Sequence, residues 1–181
     1  MKENQEARNL RRYTAILRIV LGIIILATWW ENLQKGLYTA QGITDLFTHP
    51  DWGAFSNGGG ALPGYRAIIQ ATVLQVPGAF GAFQMVAEFL MGAGLLLGTL
   101  TPLAGLGATF FFLNLFLTYL GNTQEWIWTY VLLTTAALVV TLARSGREWG
   151  VDGYLLRWDR RRTQSGAESG ESAEGRLARV L

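Results

Sequence analysis

From Phe89 through Gln124 the chain carries no charged side chain. That run decides which solvent the chain folds in. Soluble chains of ordinary composition are about a quarter charged and would hardly leave such a stretch unbroken. Here 15% of residues are charged and 50% are hydrophobic. A helix crosses a bilayer with about 20 mostly apolar residues. The 181 residues therefore leave room for several crossings and little for a separate soluble domain. The expectation is an all-α integral membrane protein. Only helices and closed barrels satisfy the backbone in lipid, and barrel strands would be shorter and alternate in polarity.

Four spans are predicted, at residues Tyr13 to Trp30, Gly78 to Leu97, Leu103 to Leu120 and Trp126 to Ala143. At the helical rise each is about 27–30 Å long, close to the hydrocarbon thickness. The first apolar stretch ends in Trp29, Trp30, Glu31 and Asn32, not in a small-residue cleavage site, so it reads as a retained span. Spans two and three form a hairpin through "LLLGTLTPLAGLG". Gly98 can end one helix, Thr101 can cap the next, and Pro102 suits its first turn. "GNTQE", Gly121 to Glu125, joins spans three and four. Short connections make neighbouring helices antiparallel, so the architecture predicted is a four-helix bundle.

Basic residues set the orientation. Lys2, Arg8, Arg11, Arg12 and Arg18 precede or open the first span. Arg144, Arg147, Arg157, Arg160, Arg161, Arg162, Arg176 and Arg179 follow the last one. Only Lys35 and Arg66 lie elsewhere. An even number of spans puts both ends on one side, and the positive-inside rule makes that side cytoplasmic. The chain is then N-in/C-in and multi-pass in the cytoplasmic (inner) membrane. Residues 31–77 become a long extracytoplasmic loop between the first two spans. Short helices are expected near Thr44–Phe47 and Asp51–Phe55, followed by a flexible Gly58-Gly59-Gly60. In "YRAIIQATVLQVPG", Tyr65, Ile68, Ile69, Val73 and Val76 share one helical face, which predicts a segment lying flat on the outer interface. "GREWGVDGYLLRWDRRR" should rest on the inner leaflet with its arginines toward anionic headgroups. Residues 1–158 form the membrane domain. Residues 159–181, small and polar, read as a disordered cytoplasmic tail.

Glu88 stands near the middle of the second span, where a charged carboxylate costs at least about 2.5 kcal/mol. It should face the bundle interior, paired or protonated. Gln84 lies one turn away on the same face, and Asn114 on span three comes to a similar depth. Glu31 ends span one near the outer boundary. One reading makes Glu88 a proton-handling or ligand-orienting group, with Glu31 at the rim of an outward cavity. The other makes it a packing residue hydrogen-bonded to Gln84 or Asn114. Trp29, Trp30, Trp126, Trp128 and Tyr130 suit an aromatic belt, though some could line a site for a flat ring. Gly92, Ala93, Gly94, Ala104, Gly105, Gly107 and Ala108 suit close helix packing.

Several chemistries drop out. With no cysteine, the chain carries no disulfide, thiolate nucleophile, iron–sulfur cluster or covalently attached haem. With His49 alone, one copy cannot hold a haem between two histidines. No metal constellation, nucleotide loop or nucleophile–base pair is visible, and nothing points to a nucleic-acid partner.

The segments "AEFLMGAGLLLGTLTPLAG", "NLFLTYLG" and "EWIWTYVLLTTAALVVTLARSGREWGVDGYL", with the long loop after the first span, resemble the DoxX/DoxD family over residues 13–158. The long loop favours the DoxD-like branch. That branch includes the membrane subunit of thiosulfate:quinone oxidoreductase, which oxidises thiosulfate to tetrathionate and passes electrons to quinone beside a second, smaller subunit. The resemblance implies a quinone site and proton route around Glu88 and Glu31, with Gln84, Asn114, Trp29 and Trp30 as candidate quinone contacts. It also implies a cytoplasmic signature from Gly146 to Leu155. A competing reading is a non-catalytic accessory subunit of a larger respiratory or photosynthetic membrane complex. A small-solute transporter is disfavoured, because no inverted repeat or broken helix is seen.

Overall fold

In the computed structural model, residues 2–155, 157 and 158 are described, and they are all-α, without a strand. Helix α1 spans Lys2–Gln34, α2 Ala40–Thr48, α3 Tyr65–Ala71, α4 Pro77–Leu97, α5 Thr101–Tyr119 and α6 Trp128–Leu142. The proposed tail, residues 159–181, lies outside the described residues. Three helices are long and apolar enough to cross a membrane: Asn9–Gln34 within α1, α4 and α5. Helix α6 is apolar but has 15 residues, about 22 Å of rise. It begins two residues later than the sequence predicts. Asn122 explains the delay: its Oδ1 accepts from the amides of Gln124 and Glu125 and holds a turn there.

Helix α1 runs past its predicted end because nothing breaks it before Gly36. That glycine takes φ +69°. The Leu37 amide then reaches back to the Asn32 carbonyl at 2.9 Å and that of Gly36 to Leu33 at 3.2 Å, a glycine-terminated helix end.

The four long helices close a ring: α1 packs on α4 and α6, α4 on α5, and α5 on α6. Their shared core is Leu21, Ile25, Leu95, Ala104, Ala108, Phe112, Ala137 and Val140. Small residues set the spacing. A Cβ on Gly22 would lie 2.6 Å from the Leu96 amide nitrogen, so α1 and α4 touch backbone to backbone there.

Residues 35–76 fold into a lobe over one end of the ring. Ile43, Phe47, Ala54, Phe55, Tyr65, Ile69 and Val73 form its core, against Phe80 of α4 and Leu117 and Tyr119 of α5. Three details differ from the sequence reading. Residues 51–55 make turns, not a helix. Gly58-Gly59-Gly60 is tied down: the Gly59 amide donates to Ala54, and the Gly59 carbonyl accepts from Arg66 Nε at 2.7 Å. The α3 segment does not present one apolar face. Tyr65, Ile69 and Val73 are buried in the lobe, whereas Ile68 and Val76 are exposed. The lobe's own core captures the first three, which leaves Ile68 and Val76 facing outward.

At the opposite, basic end a residue far from α5 caps it. The Leu100 and Thr101 amides donate to the two carboxylate oxygens of Asp152 at 2.8 and 2.9 Å. Thr101, expected to be the cap, is instead the first helical residue, and its buried hydroxyl has no partner. The signature Gly146–Leu155 is therefore more than an amphipathic surface segment. Gly146 and Gly153 are buried and Asp152 is a clamp, while Trp149, Tyr154 and Leu155 remain exposed.

Candidate functional site

Glu88 is 1% exposed and points into the bundle. Gln84 follows from helix periodicity: one turn earlier on the same face, its Nε2 donates to Glu88 Oε1 at 2.7 Å. The second partner comes from outside α4. The Tyr38 hydroxyl donates to Glu88 Oε2 at 2.6 Å. Asn32, on the last turn of α1 and half-buried, lies beside Tyr38 and Glu88 without a hydrogen bond to either.

The local fold explains how Tyr38 arrives. Gly36 stops α1, the chain turns, and residue 38 drops onto the outer part of α4. Gly81 makes the landing possible, since any Cβ there would collide with the Tyr38 carbonyl oxygen. Tyr38 is buried, and that burial, reinforced by the Glu88 carboxyl, pushes its hydroxyl well above the usual tyrosine range. It stays neutral at physiological pH and acts as a hydrogen-bond donor, not an anion.

The other candidates lie apart from this cluster. Glu31 forms an exposed pair with Lys35, Oε1 to Nζ 2.6 Å, one turn along the outside of α1. Trp29 donates its indole N–H to the Met85 carbonyl at 2.9 Å and stacks at a tilt on Phe89, 5.1 Å between centroids. Trp30 is exposed on the outside of the helix. Asn114 turns its amide onto its own helix, donating to the Phe110 carbonyl at 2.8 Å. Its backbone carbonyl instead accepts from Tyr65 and Thr118, at the lobe.

These contacts bear on the quinone that the family resemblance implies. A quinone carbonyl needs a free donor beside an apolar wall. The Tyr38 hydroxyl and the Gln84 amide are turned to Glu88, Trp29 to Met85 and Asn114 to Phe110. In this arrangement the residues around Glu88 do not fit a quinone. Among the described residues no three metal-ligating side chains cluster to hold a metal ion.

A second polar cluster, at the basic end, was not foreseen. Arg18 is completely buried. Its Nη1 donates to the carbonyls of Leu95 at 2.5 Å and Leu96 at 3.3 Å, and its Nη2 to that of Trp149 at 3.2 Å. It thereby satisfies the last carbonyls of α4 and ties α1 to the segment after α6. In the sequence Arg18 reads as one more flanking positive charge. The signal that it is something else is its place beyond "YTAIL", more than a turn inside the apolar stretch.

Comparison with protein families, curated proteins and solved structures finds no match.

Proposed function

We propose that the chain is a four-span, N-in/C-in subunit of the cytoplasmic membrane that serves a quinone-linked oxidoreductase of the DoxD-like kind. Thiosulfate is the electron donor that the resemblance implies. The redox centre would belong to a partner, either another membrane subunit or a small extracytoplasmic one, because this chain has no cysteine and a single histidine. What the chain itself contributes is a scaffold and one proton-holding group. The observation that carries this reading is Glu88: a carboxyl 1% exposed, with both oxygens hydrogen-bonded to side chains, one of them brought by the turn after α1. Intramembrane acids are costly and are retained mostly where they serve a pathway.

A second reading has one specific observation in its favour. Both carboxyl oxygens of Glu88 are already paired inside the protein. That suits a latch in a non-catalytic accessory subunit equally well. Substitution separates the two. Glu88→Gln keeps the shape and most hydrogen bonds but cannot exchange a proton. The first reading expects the complex purified from native membranes to assemble normally, with turnover reduced about a hundredfold, within the range of a lost acid–base group. Glu88→Ala should both inactivate and lower the melting temperature, since it strands the Tyr38 hydroxyl and opens a cavity. A fully active Glu88→Gln complex would leave the accessory reading.

A further inference from the structure

We infer that Glu88 exchanges its proton with the lobe end only, through Tyr38, with Asn32 beside the pair, and is sealed from the basic end by a dry apolar plug. The inference rests on the reading of Glu88 as a proton-holding group in a membrane span. It adds a direction to that reading and gives two further residues a role.

The seal is visible on every helix. Below Glu88, the next residues of α4 on that face are Gly92 and Leu95, both buried. From Glu88 to Leu95 is about 10 Å of helix. The facing residues are Leu21 and Ile25 of α1, Ala104, Ala108 and Phe112 of α5, and Ala137 and Val140 of α6, all buried and all apolar. The space beside Gly92 is filled: a Cβ there would meet Leu26 side-chain atoms at 2.8 Å and Ile25 at 3.1 Å. Hydroxyls at the plug's edge carry nothing onward, because Thr109, Thr134 and Thr141 each donate to a carbonyl of their own helix. Apolar space of this kind does not hold the water that a proton wire needs. The polar groups beyond it at the basic end are the Thr101 hydroxyl, separated from Glu88 by Ala104 and Ala108 of the plug, and Arg18, which donates to carbonyls and cannot accept a proton.

Toward the lobe one side chain, Tyr38, stands between Glu88 and the turn after α1. Tyr38 touches Glu88 and lies in the turn after α1, whose neighbours Thr39 and Ala40 are exposed. Asn32 is half-buried and stands beside the pair as a polar neighbour that holds it in place, not as a carrier of the proton. The transfer balances without an outside reagent. On uptake the Tyr38 proton moves along its hydrogen bond onto Glu88 Oε2 as the Tyr38 oxygen takes a proton from the lobe side; on release the hydroxyl first turns to accept from Glu88 and donate outward, and the tyrosine is never left ionised. The other charged or titratable groups on elements packed around Glu88 stand off. Glu31 and Lys35 of α1 pair with each other, Asp45 of α2 accepts from Gln41, and Tyr119 of α5 stacks on Tyr130 of α6.

The test uses the full chain in oriented proteoliposomes with impermeant buffers. The infrared carboxyl band of Glu88 is identified by its loss in Glu88→Gln. A pH step on the lobe side should change that band, and the same step on the basic side should leave it unchanged. Tyr38→Phe, checked for an unaltered melting profile, should slow the lobe-side response about tenfold or more. Slowing in Asn32→Leu provides the second readout if Tyr38→Phe does not fold. A response from the basic side, or an unslowed response in a folded Tyr38 or Asn32 variant, overturns the one-sided path and leaves Glu88 a proton-holding group. A Glu88-dependent band that responds from neither side overturns both.

Discussion

At the scale of single residues, the fate of Glu88 turns on small neighbours as much as on polar ones. Holding Glu88 in an apolar bundle once it has released its proton costs at least about 2.5 kcal/mol. Hydrogen bonds to a charged group return about 1.5–3 kcal/mol each, so the contacts from Tyr38 and Gln84 offset the cost. The Tyr38 contact depends on Gly81. Alanine in place of a mid-helix glycine normally gains about 1 kcal/mol of helix propensity. At position 81 the added methyl would collide with the Tyr38 carbonyl oxygen, which is backbone and cannot swing aside. Gly81→Ala is therefore expected to destabilise the protein, by about 1–3 kcal/mol as overpacking does, and to weaken the Tyr38–Glu88 bond. Thermal unfolding in detergent checks the sign: a stabilised Gly81→Ala would mean the turn does not sit on α4 as described. The pair Glu88–Gln84 was legible in the sequence because both lie on one helix, four residues apart. Tyr38 was not, because it reaches the site through a turn whose direction depends on Gly36 and Gly81 together. Asn114 shows the opposite failure. Its depth suggested a partner for Glu88, but helix depth does not fix rotation, and its amide found a carbonyl one turn away.

At the scale of elements, apolar periodicity located the long helices, and local turn chemistry located Gly98 as the end of α4, where it takes φ +68°. What periodicity could not show was who satisfies the helix ends. The start of α5 is served from fifty residues away by Asp152, and the end of α4 by Arg18. Leu100 and Trp149, at φ 46° and 50°, accept a backbone conformation that costs a non-glycine residue about 1–2 kcal/mol. They keep it because the Leu100 amide is held by Asp152 and the Trp149 carbonyl by Arg18. The lobe was underread for a related reason: its glycines looked like slack, but they allow the close turns that join it to α5. Asp152→Ala is expected to cost about 0.5–2 kcal/mol, the usual loss of a helix cap. Amide exchange at Leu100 and Thr101 should rise with it. Unchanged protection of those two amides would show that Asp152 is not their acceptor in solution.

At the scale of the whole molecule, two lines of argument meet on topology, and they use different residues. Charge counting argues for one shared side from the arginines in the first turns of α1 and those after α6. The packing reaches the same parity without charge: Arg18, near the start of α1, bonds to Trp149, beyond the end of α6. An odd number of crossings would separate those two residues by the thickness of the bilayer, about 30 Å. On the four-span proposal the short helix α6 crosses as well, its 15 residues extended at the lobe end by the turn that carries Trp126 and Ile127. A shorter apolar helix is accommodated by local thinning and by aromatic anchors at a modest cost. The chain has no cysteine, so single introduced cysteines report without background. Ser56 is exposed on the lobe and Arg157 is exposed beyond the last helix. In intact right-side-out membranes, Ser56→Cys should react with an impermeant maleimide and Arg157→Cys should react only after the membrane is opened. Equal labelling of both from outside would mean that α6 does not cross, and the shared membrane side of the two basic segments would fall with it.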